Sequence, residues 1–404
     1  MDKHTGLRCS GCGVQLHSDP TEERGFVPAH VLQQASPEIL CRRCFRIRHY
    51  GKAEPVRLTI QTVLDAVSRG AAAARAVFYI VDPFDFEGTW HPEWLPLFGK
   101  RPYYILVNKI DLLPQISKAD EIIAWIRQRV KGTVPAPAGI VACGTVRSRD
   151  LAAVNRLIQD EGLESIALVG ATNVGKSSLL RALVGTAQAK GQSASTSARA
   201  SAPASIRTSS SVSTTAPASA PVPLVSHFPG TTQYTVTVTG KDGVKWIDTP
   251  GIAPGDRLSD LVCPDCGAQL AFAGKKLKAR LYHLDPGQAV VFAGLAAFTN
   301  KASETRTLLC YAGETVVMHR TSAEKAADYL QNPPDWLAIP CAACHAKLAA
   351  PVTRKYQIKN GEDLAIAGLG WVSLRGGDAL LEQTCPDGVL VSKRPGLFGR
   401  KPAK

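Results

Sequence analysis

Short apolar runs alternate with amphipathic stretches through the first half of the chain. Residues 76–81, 103–107, 139–142 and 165–169 are almost wholly apolar, which predicts buried strands. Residues 121–130 instead place Ile, Trp and Val at helical spacing. Strands and helices that alternate in this way predict an α/β fold built on a parallel sheet.

The remaining chain shows three other patterns. Residues 236–238 and 244–247 flank the turn Gly240-Lys-Asp-Gly243, which predicts a β-hairpin. After residue 254, short apolar stretches mix with a helical segment near 322–330, which predicts a separate α+β domain. Residues 185–223 are mainly Ala, Ser, Thr and Pro, without acidic or aromatic side chains, and are expected to form a disordered insertion because they have little apolar surface to bury.

These patterns divide the 404 residues into four parts. We expect a cysteine-rich domain at 1–56, an α/β domain at 57–254 that contains the insertion, a C-terminal domain at 255–392 and a basic tail at 393–404. No run approaches the roughly 18 apolar residues that a membrane helix needs, so a membrane span is not expected.

Charge narrows the choice of partner. The net charge is +13, from 47 Lys and Arg against 34 Asp and Glu, and only three of the positive charges lie in the predicted insertion. Such an excess in the folded parts favours a polyanionic partner, which charge alone does not identify. Residues 1–17 lack the pattern of a secretory signal, and eight of the 11 cysteines form C-x-x-C pairs, so a reducing compartment is expected.

The strongest chemical signal is Gly170-Ala-Thr-Asn-Val-Gly-Lys-Ser177, between a predicted strand and a helix-like segment. In that context the pattern G-x-x-x-x-G-K-S predicts a P-loop, whose glycines let backbone N–H groups surround phosphates. Lys176 is expected to neutralise the β- and γ-phosphates, and Ser177 to bind Mg²⁺. The candidate phosphate-binding residues are Gly170, Asn173, Val174, Gly175, Lys176, Ser177 and Ser178.

Two further segments fit the same site. Asp248-Thr-Pro-Gly251 ends a predicted strand, so Asp248 is expected to hold the water shell of Mg²⁺ and the Gly251 N–H to meet the γ-phosphate. Thr231 and Thr232 precede that strand. Thr232 is the expected metal-facing hydroxyl, with Thr231 as the alternative.

The signal for the base is Asn108-Lys-Ile-Asp111, an N-K-x-D sequence directly after a predicted strand. The Asp111 carboxylate can accept hydrogen bonds from N1–H and the 2-amino group of guanine, a pair of donors that adenine does not offer. Asn108 is expected to support the loop, and the Lys109 stem to stack over the ring. The predicted ligands are therefore GTP and GDP.

The order of the motifs is unusual. N-K-x-D follows the P-loop in ordinary GTPases, whereas here Asn108 precedes Gly170. Because the ends of a compact domain often lie close together, a chain can be cut and rejoined without moving its strands. The order predicts a circularly permuted GTPase domain at 57–254, in which Ala142 and Cys143 occupy the place of the guanine-supporting loop.

The cysteine pairs predict metal sites, because two thiolates at this spacing fit one ion. An N-terminal Cys₄ zinc site is expected, with an iron–sulfur cluster as the alternative, at Cys9, Cys12, Cys41 and Cys44. On spacing alone, a second zinc site is also predicted, at Cys263, Cys266, Cys341 and Cys344. The sequence Cys341-Ala-Ala-Cys-His345 also matches a haem attachment pattern, but the partner pair explains these cysteines better and haem is not expected.

Basic and aromatic residues lie beside the first cysteine cluster. Positive charges interleaved with aromatic rings suit RNA, because they combine phosphate neutralisation with base stacking. The expected RNA-binding residues are Arg42, Arg43, Phe45, Arg46, Arg48, His49, Tyr50 and Lys52.

The GTPase motifs and the N-terminal cysteine pairs resemble the YqeH-type permuted GTPases, which include mitochondrial and plastid nitric-oxide-associated proteins. The resemblance extends to Asp82-Pro-Phe-Asp-Phe86 and to Ala365-Ile-Ala-Gly-Leu-Gly-Trp-Val372, and covers most of the chain apart from the insertion. It implies GTP hydrolysis coupled to assembly of the small ribosomal subunit through ribosomal RNA, with the C-terminal domain at 255–392 expected to bind RNA or the ribosome. It also implies a location in the chloroplast or mitochondrion, with the cytoplasm as the alternative.

Hydrolysis is expected to be slow. Ile252 follows Gly251, where Ras-like enzymes place a glutamine that orients the attacking water. The resemblance implies a substitute, in which Asn173 and the loop at 230–232 bind K⁺ beside the phosphates and stabilise transition-state charge. The candidate catalytic residues are Lys176, Asn173, Thr232 and Asp248.

Two other functions fit the same residues. One is a GTP-dependent switch that acts on a protein partner, and the other is a zinc- or redox-responsive regulatory GTPase. Nitric-oxide synthase activity is not expected, since the sequence carries no haem, flavin or nicotinamide signature.

Overall fold

The computed structural model describes residues 7–10, 14–19, 25–32, 39–42, 44–45, 59–114, 118–145, 148–189, 235–240, 242–272, 274 and 276–398. Within these ranges no helix is both long and apolar enough to cross a bilayer. The strands are β1 Ala76–Val81, β2 Tyr103–Val107, β3 Gly139–Ala142, β4 Ser165–Val169, β5 Val236–Thr239, β6 Lys245–Asp248, β7 Arg280–Leu284, β8 Gln288–Phe292, β9 Ala296–Asn300, β10 Arg306–Ala312, β11 Met318–Ser322, β12 Pro351–Ile358, β13 Glu362–Ile366, β14 Gly370–Arg375, β15 Ala379–Pro386 and β16 Val391–Pro395. The helices are α1 Ala29–Leu32, α2 Ile60–Ala72, α3 Phe86–Thr89, α4 Ala119–Arg129, α5 Ala152–Asp160, α6 Lys176–Ala189, α7 Leu258–Leu261, α8 Pro264–Leu270, α9 Ala323–Gln331 and α10 Ala342–His345.

The first sheet has the strand order β3-β2-β1-β4-β6-β5, in which only the β5–β6 pair is antiparallel. Every residue of β1 and β2 is buried, as expected for strands covered on both faces. Residues of α2 and α4 pack with Val77 and Tyr79 on one face, and residues of α5 and α6 pack with Phe78 and Ile80 on the other. The predicted α/β layer, inferred from alternating strands and helices, is confirmed.

The predicted elements of this layer hold with small shifts. Helix α4 covers residues 119–129, two residues ahead of the expected start, and β5 and β6 form the predicted hairpin. The predicted insertion at 185–223 begins inside α6, because this helix continues to Ala189. The rest of the insertion lies outside the described residues.

The C-terminal part is β-rich, which corrects the α+β expectation. Its described strands form two antiparallel sheets with the orders β16-β13-β14-β10-β7 and β11-β8-β9-β15-β12. Residues of both sheets, including Phe292, Leu308 and Leu381, share one apolar core. The helical segment near 322–330 exists as α9. In β12 and β15, however, more and less buried residues alternate along the strand, the pattern of a β-sheet with one face toward the core.

The predicted tail at 393–404 is wrong at its start. Strand β16 pairs with β13 up to Pro395, and the Phe398 ring packs 6.1 Å from the Trp371 ring. The Arg394 side chain is fully buried, forms an ion pair with Glu87 and lies 5.1 Å from the Trp371 ring. A buried charge requires such partners, so Arg394 belongs to the core and fastens the C-terminal part onto the α/β layer. Residues 399–404 lie outside the described ranges.

Candidate functional site

The P-loop connects β4 to α6, as the sequence predicts. Asn173 and Gly175 adopt positive φ angles of 61° and 99°, which turn the backbone around the loop interior. Lys176 is only 6% exposed, and its Nζ donates to the carbonyl oxygens of Gly170 at 2.9 Å and Ala171 at 3.0 Å. Burial lowers the pKa of Lys176 to about 8, against the opposing effect of the nearby Asp248 carboxylate.

Strand β6 brings the D-x-x-G sequence beside this loop. The Ser177 hydroxyl donates to Asp248 Oδ2 at 2.8 Å, so the two expected ligands of the Mg²⁺ site are adjacent. A side-chain carbon on Gly251 would lie 3.2 Å from Lys176 Nζ and 3.0 Å from Thr172 Cα, so this glycine packs directly against the P-loop. The backbone of Ile252 pairs with the P-loop, since its carbonyl accepts from Thr172 N at 2.9 Å. The Ile252 side chain is fully buried.

The N-K-x-D segment is joined to the P-loop by a direct hydrogen bond. Asn108 is buried at the end of β2, and its Nδ2 donates to the Val174 carbonyl at 2.9 Å. Lys109 has a positive φ of 62°, and its ammonium group lies 2.6 Å from Asp82 Oδ2 at the end of β1. Three neighbouring strands therefore end at the P-loop.

Asp111 is the last residue of the N-K-x-D segment. Its Oδ1 is buried with no hydrogen-bond partner among the described residues. Burial raises the pKa of this carboxyl group, with a smaller contribution from the negative charge of Asp150. A buried carboxylate oxygen without a partner has a free-energy cost, which a hydrogen-bond donor brought to this position would remove.

The residues at the end of β3 pack against Asn108 and Asp111. Ala142 and Cys143 are buried, and the Cys143 thiol contacts Asn108 Oδ1 at 3.7 Å. Gly144 follows, and any side-chain carbon there would overlap the Asp111 carboxylate. The structure thus brings the predicted guanine-supporting segment against both N-K-x-D side chains.

Four predicted residues remain, of which the structure describes two. Ser178 lies half-buried on the first turn of α6, and Asn173 is exposed at the P-loop surface. Asn173 lines a cavity together with Lys109 and Arg257. Thr231 and Thr232 lie outside the described residues.

Sequence reasoning missed a buried charged cluster that contacts the P-loop. Arg257 is 2% exposed, and its guanidinium donates to both carboxylate oxygens of Asp260 at 2.7 and 2.8 Å and to the Thr172 carbonyl at 3.3 Å. Thr172 Oγ1 donates to Asp260 Oδ1 at 2.9 Å. Asp85 lies 3.6 Å from the same guanidinium, and burial raises its pKa to about 7 although Arg257 opposes the shift. No spacing rule connects residue 172 with residues 257 and 260, so the pattern gave no signal.

Two groups of cysteines converge. The Sγ atoms of Cys9, Cys41 and Cys44 lie within 4.8 Å of one another, and Cys12 lies outside the described residues. The Sγ atoms of the second group are equally close, at Cys263, Cys266, Cys341 and Cys344. Thiol clusters of this kind can hold zinc. Of the expected RNA-binding residues, the described ones are Arg42, over the Phe26 ring at 6.0 Å, and Phe45, 46% exposed.

Comparison with known proteins agrees with this geometry. Residues 165–213 match the family model described as 50S ribosome-binding GTPase, which spans β4, the P-loop and α6. Residues 305–397 match the model described as YqeH-like, C-terminal, which spans β10 to β16.

Relatives match either most of the chain or about a quarter of it. The chain is 27% identical to the uncharacterized protein YqeH of Bacillus subtilis (strain 168), over 96% of this chain and 99% of that protein. It is 20% identical to NO-associated protein 1, chloroplastic/mitochondrial, of Arabidopsis thaliana, over 91% of this chain and 69% of that protein. It is 31% identical to nitric oxide-associated protein 1 of Mus musculus, over 28% of this chain and 17% of that protein.

Gly175→Ala tests the contact between the two motifs. The substitution places a side-chain carbon into Asn108 Nδ2 at a backbone angle that L-residues rarely adopt. Strain of about 1–3 kcal/mol predicts a loss of roughly 5- to 150-fold in affinity for guanine nucleotide. Titration of nucleotide-free protein with fluorescent GDP measures it.

Gly162→Ala is the matched control. Gly162 has a positive φ of 58°, and nothing lies within 4 Å of the added carbon. This variant should keep the wild-type affinity. Equal losses in both variants would show that the contact with Asn108 plays no part.

Proposed function

We propose that this chain, a GTPase of the YqeH type, binds GTP in a circularly permuted domain, hydrolyses it slowly and acts on the small ribosomal subunit through ribosomal RNA. The observation that carries the GTP part is the bond from Asn108 Nδ2 to the Val174 carbonyl. It joins the base-recognition segment to the phosphate loop within one edge of one sheet.

The strand order supports permutation. Numbering the first sheet from the P-loop strand β4 and continuing through the chain end to β1 turns its order into 6-5-4-1-3-2. This is a doubly wound order with the first strand in the middle, and ligands bind at the carboxyl ends of its strands. The permuted chain thus keeps the spatial arrangement while its motifs appear in a different sequence order.

The residues fit Mg²⁺ and slow hydrolysis. Ser177 Oγ and the Asp248 carboxylate offer the oxygen ligands that Mg²⁺ prefers, with Thr232 as the expected third group. Bound there, the ion neutralises charge on the phosphates. Lys176 lies inside the loop to bind the β- and γ-phosphates. The buried, aliphatic Ile252 cannot orient a water molecule, so turnover without a further group should be slow.

Asp111→Asn should change the base preference. Asparagine replaces an acceptor of two hydrogen bonds by one donor and one acceptor, which mismatches guanine and matches the N1–H and 2-carbonyl of xanthine. Loss of the acceptor's charge and the clash of the asparagine N–H with the 2-amino group predict about 100-fold or more weaker GDP binding, with XDP binding improved. Competition of GDP, XDP and ADP against fluorescent GDP on both proteins measures this. Retained preference of the variant for GDP would contradict the assignment of Asp111.

Asn173 is proposed to help bind K⁺. Its exposed amide lies in the P-loop beside the expected γ-phosphate position. Loss of one group that stabilises transition-state charge typically costs about 10²–10³-fold in rate. Wild-type turnover should fall by this order when Na⁺ replaces K⁺, and Asn173→Ala should turn over equally in both salts. Equal wild-type rates in the two salts would exclude a K⁺ role.

The net charge and the N-terminal domain support RNA binding. Most of the +13 lies outside the insertion, and Arg42 and Phe45 stand beside a cysteine cluster that we propose holds one zinc ion with Cys12 as the fourth ligand. The metal would fix the position of that surface. The name of the Arabidopsis thaliana relative includes the words chloroplastic/mitochondrial, which agrees with an organelle location; for this chain that location stays a prediction.

Co-sedimentation with purified ribosomal subunits tests the partner. Binding to the small subunit should be tighter with a GTP analogue than with GDP, and should weaken steeply as salt rises, because each neutralised phosphate releases counterions. Binding that is independent of salt would favour a protein partner. Binding that follows zinc content and survives Lys176→Ala would favour a metal- or redox-responsive regulator, and sedimentation with the large subunit alone would contradict the proposal.

A further inference from the structure

The second cysteine cluster is built from two knuckles that bond to each other. Cys263 precedes α8 and Cys341 precedes α10. The backbone N–H of Cys263 donates to Cys344 Sγ at 3.0 Å, and that of Cys341 donates to Cys266 Sγ at 3.4 Å. Hydrogen bonds to sulfur favour the thiolate, the form that binds metals.

The spacing of the sulfur atoms fits a tetrahedral ion. Four sulfurs bound to Zn²⁺ at about 2.3 Å stand roughly 3.8 Å apart. All four Sγ atoms already lie within 4.8 Å of one another, so only a small inward movement is required. Each thiol releases its proton as its sulfur binds, and a closed Cys₄ set leaves no open position, which makes the site structural.

The helix that carries half of this cluster packs against residues 257–261, the segment that contacts the P-loop. Helix α8, which carries the first knuckle, packs so closely on Ser259 that a side-chain carbon on Gly267 would lie 2.9 Å from the Ser259 carbonyl oxygen. Leu258 is fully buried in the same apolar core as Cys266 and Cys344, and its N–H donates to the Ala367 carbonyl at 2.9 Å. Residues 258–261 therefore have little freedom once α8 is fixed.

The same segment holds the P-loop through a side-chain clamp, defined as Arg257, Asp260 and Thr172. Arg257 is the residue directly before α7 and Asp260 lies within it, and both contact Thr172. The clamp fixes the P-loop residue directly before Asn173. A buried ion pair of this kind is strong only while its geometry is kept, because each charge depends on the other for compensation.

We propose that Cys263, Cys266, Cys341 and Cys344 bind one zinc ion, and that this ion orders the P-loop from behind by holding α8 and the clamp in place. Nucleotide affinity then depends on a metal in the C-terminal domain. The coupling rests on the proposed function, whereas the metal site does not.

The primary test compares full-length wild type with the double variant Cys341→Ser, Cys344→Ser, prepared under reducing conditions. Elemental analysis should show one zinc ion fewer per chain in the variant. Equal zinc contents would overturn the metal site. Fluorescent GDP should bind the variant roughly 5- to 150-fold more weakly, the usual range of coupling between two sites.

Cys385→Ser is the matched control. Cys385 is a buried cysteine of the same core, outside the cluster, and its Sγ contacts its neighbour's carbonyl oxygen at 3.5 Å, which a hydroxyl can also do. This variant should keep wild-type zinc content and GDP affinity. The same loss of affinity here as in the double variant would show core damage and overturn the coupling.

Asp260→Asn breaks the clamp without touching a cysteine. It should retain all zinc and still weaken GDP binding several-fold. Hydrogen exchange at the amides of residues 171–176 in nucleotide-free protein gives a readout that needs no ligand, and it should speed up in both Asp260→Asn and the double cysteine variant. Unchanged exchange in both variants would overturn the coupling. Because the measurement is made without nucleotide, its outcome does not depend on whether the chain binds GTP.

Discussion

The buried guanidinium of Arg257 is the constraint on which the relation between the two large domains depends. A charge that is 2% exposed is stable only when carboxylates and carbonyls surround it, and these partners come from different parts of the chain. Asp260 lies three residues after Arg257, Thr172 lies in the P-loop and Asp85 lies in the turn after β1. Asp85 in turn accepts a hydrogen bond from Gly368 of the C-terminal domain at 2.9 Å. One side chain thus requires the phosphate loop, the sheet edge and the C-terminal sheets to keep a single arrangement.

The nucleotide chemistry depends on a second junction at the same edge. Parallel strands β2, β1, β4 and β6 end side by side, so the segments that follow them share one site. The bonds from Asn108 to Val174 and from Ser177 to Asp248 join these segments pairwise. Because D-x-x-G leads through Arg257 into the C-terminal domain, a change at the γ-phosphate has a short physical path to the β-rich sheets.

Features that depend on neighbouring residues are predictable from this sequence, whereas features that depend on distant residues are not. The strands of the α/β layer and the P-loop are local patterns, in which neighbouring residues alone dictate a buried run or a glycine turn. The C-terminal domain was harder, since its sheets pair residues far apart, as in Ile358 with Ala379 or Glu362 with Pro395. Arg394 was assigned to a basic tail because its charge suggested exposure. Its partner Glu87 lies more than 300 positions away, and nothing local indicates it.

The sequence by itself determined the sheet type, the phosphate and guanine motifs, their inverted order and the cysteine pairs, because each is encoded within a few consecutive residues or a fixed spacing. The tertiary structure alone decided which segments meet. It joined Asn108 Nδ2 to the Val174 carbonyl, added the backbone N–H bonds from Cys263 and Cys341 to the opposite cysteine pair, and buried Arg257 on Thr172. Long-range contacts arise from packing and from the need to compensate buried charge, and these conditions exist only once the chain has folded.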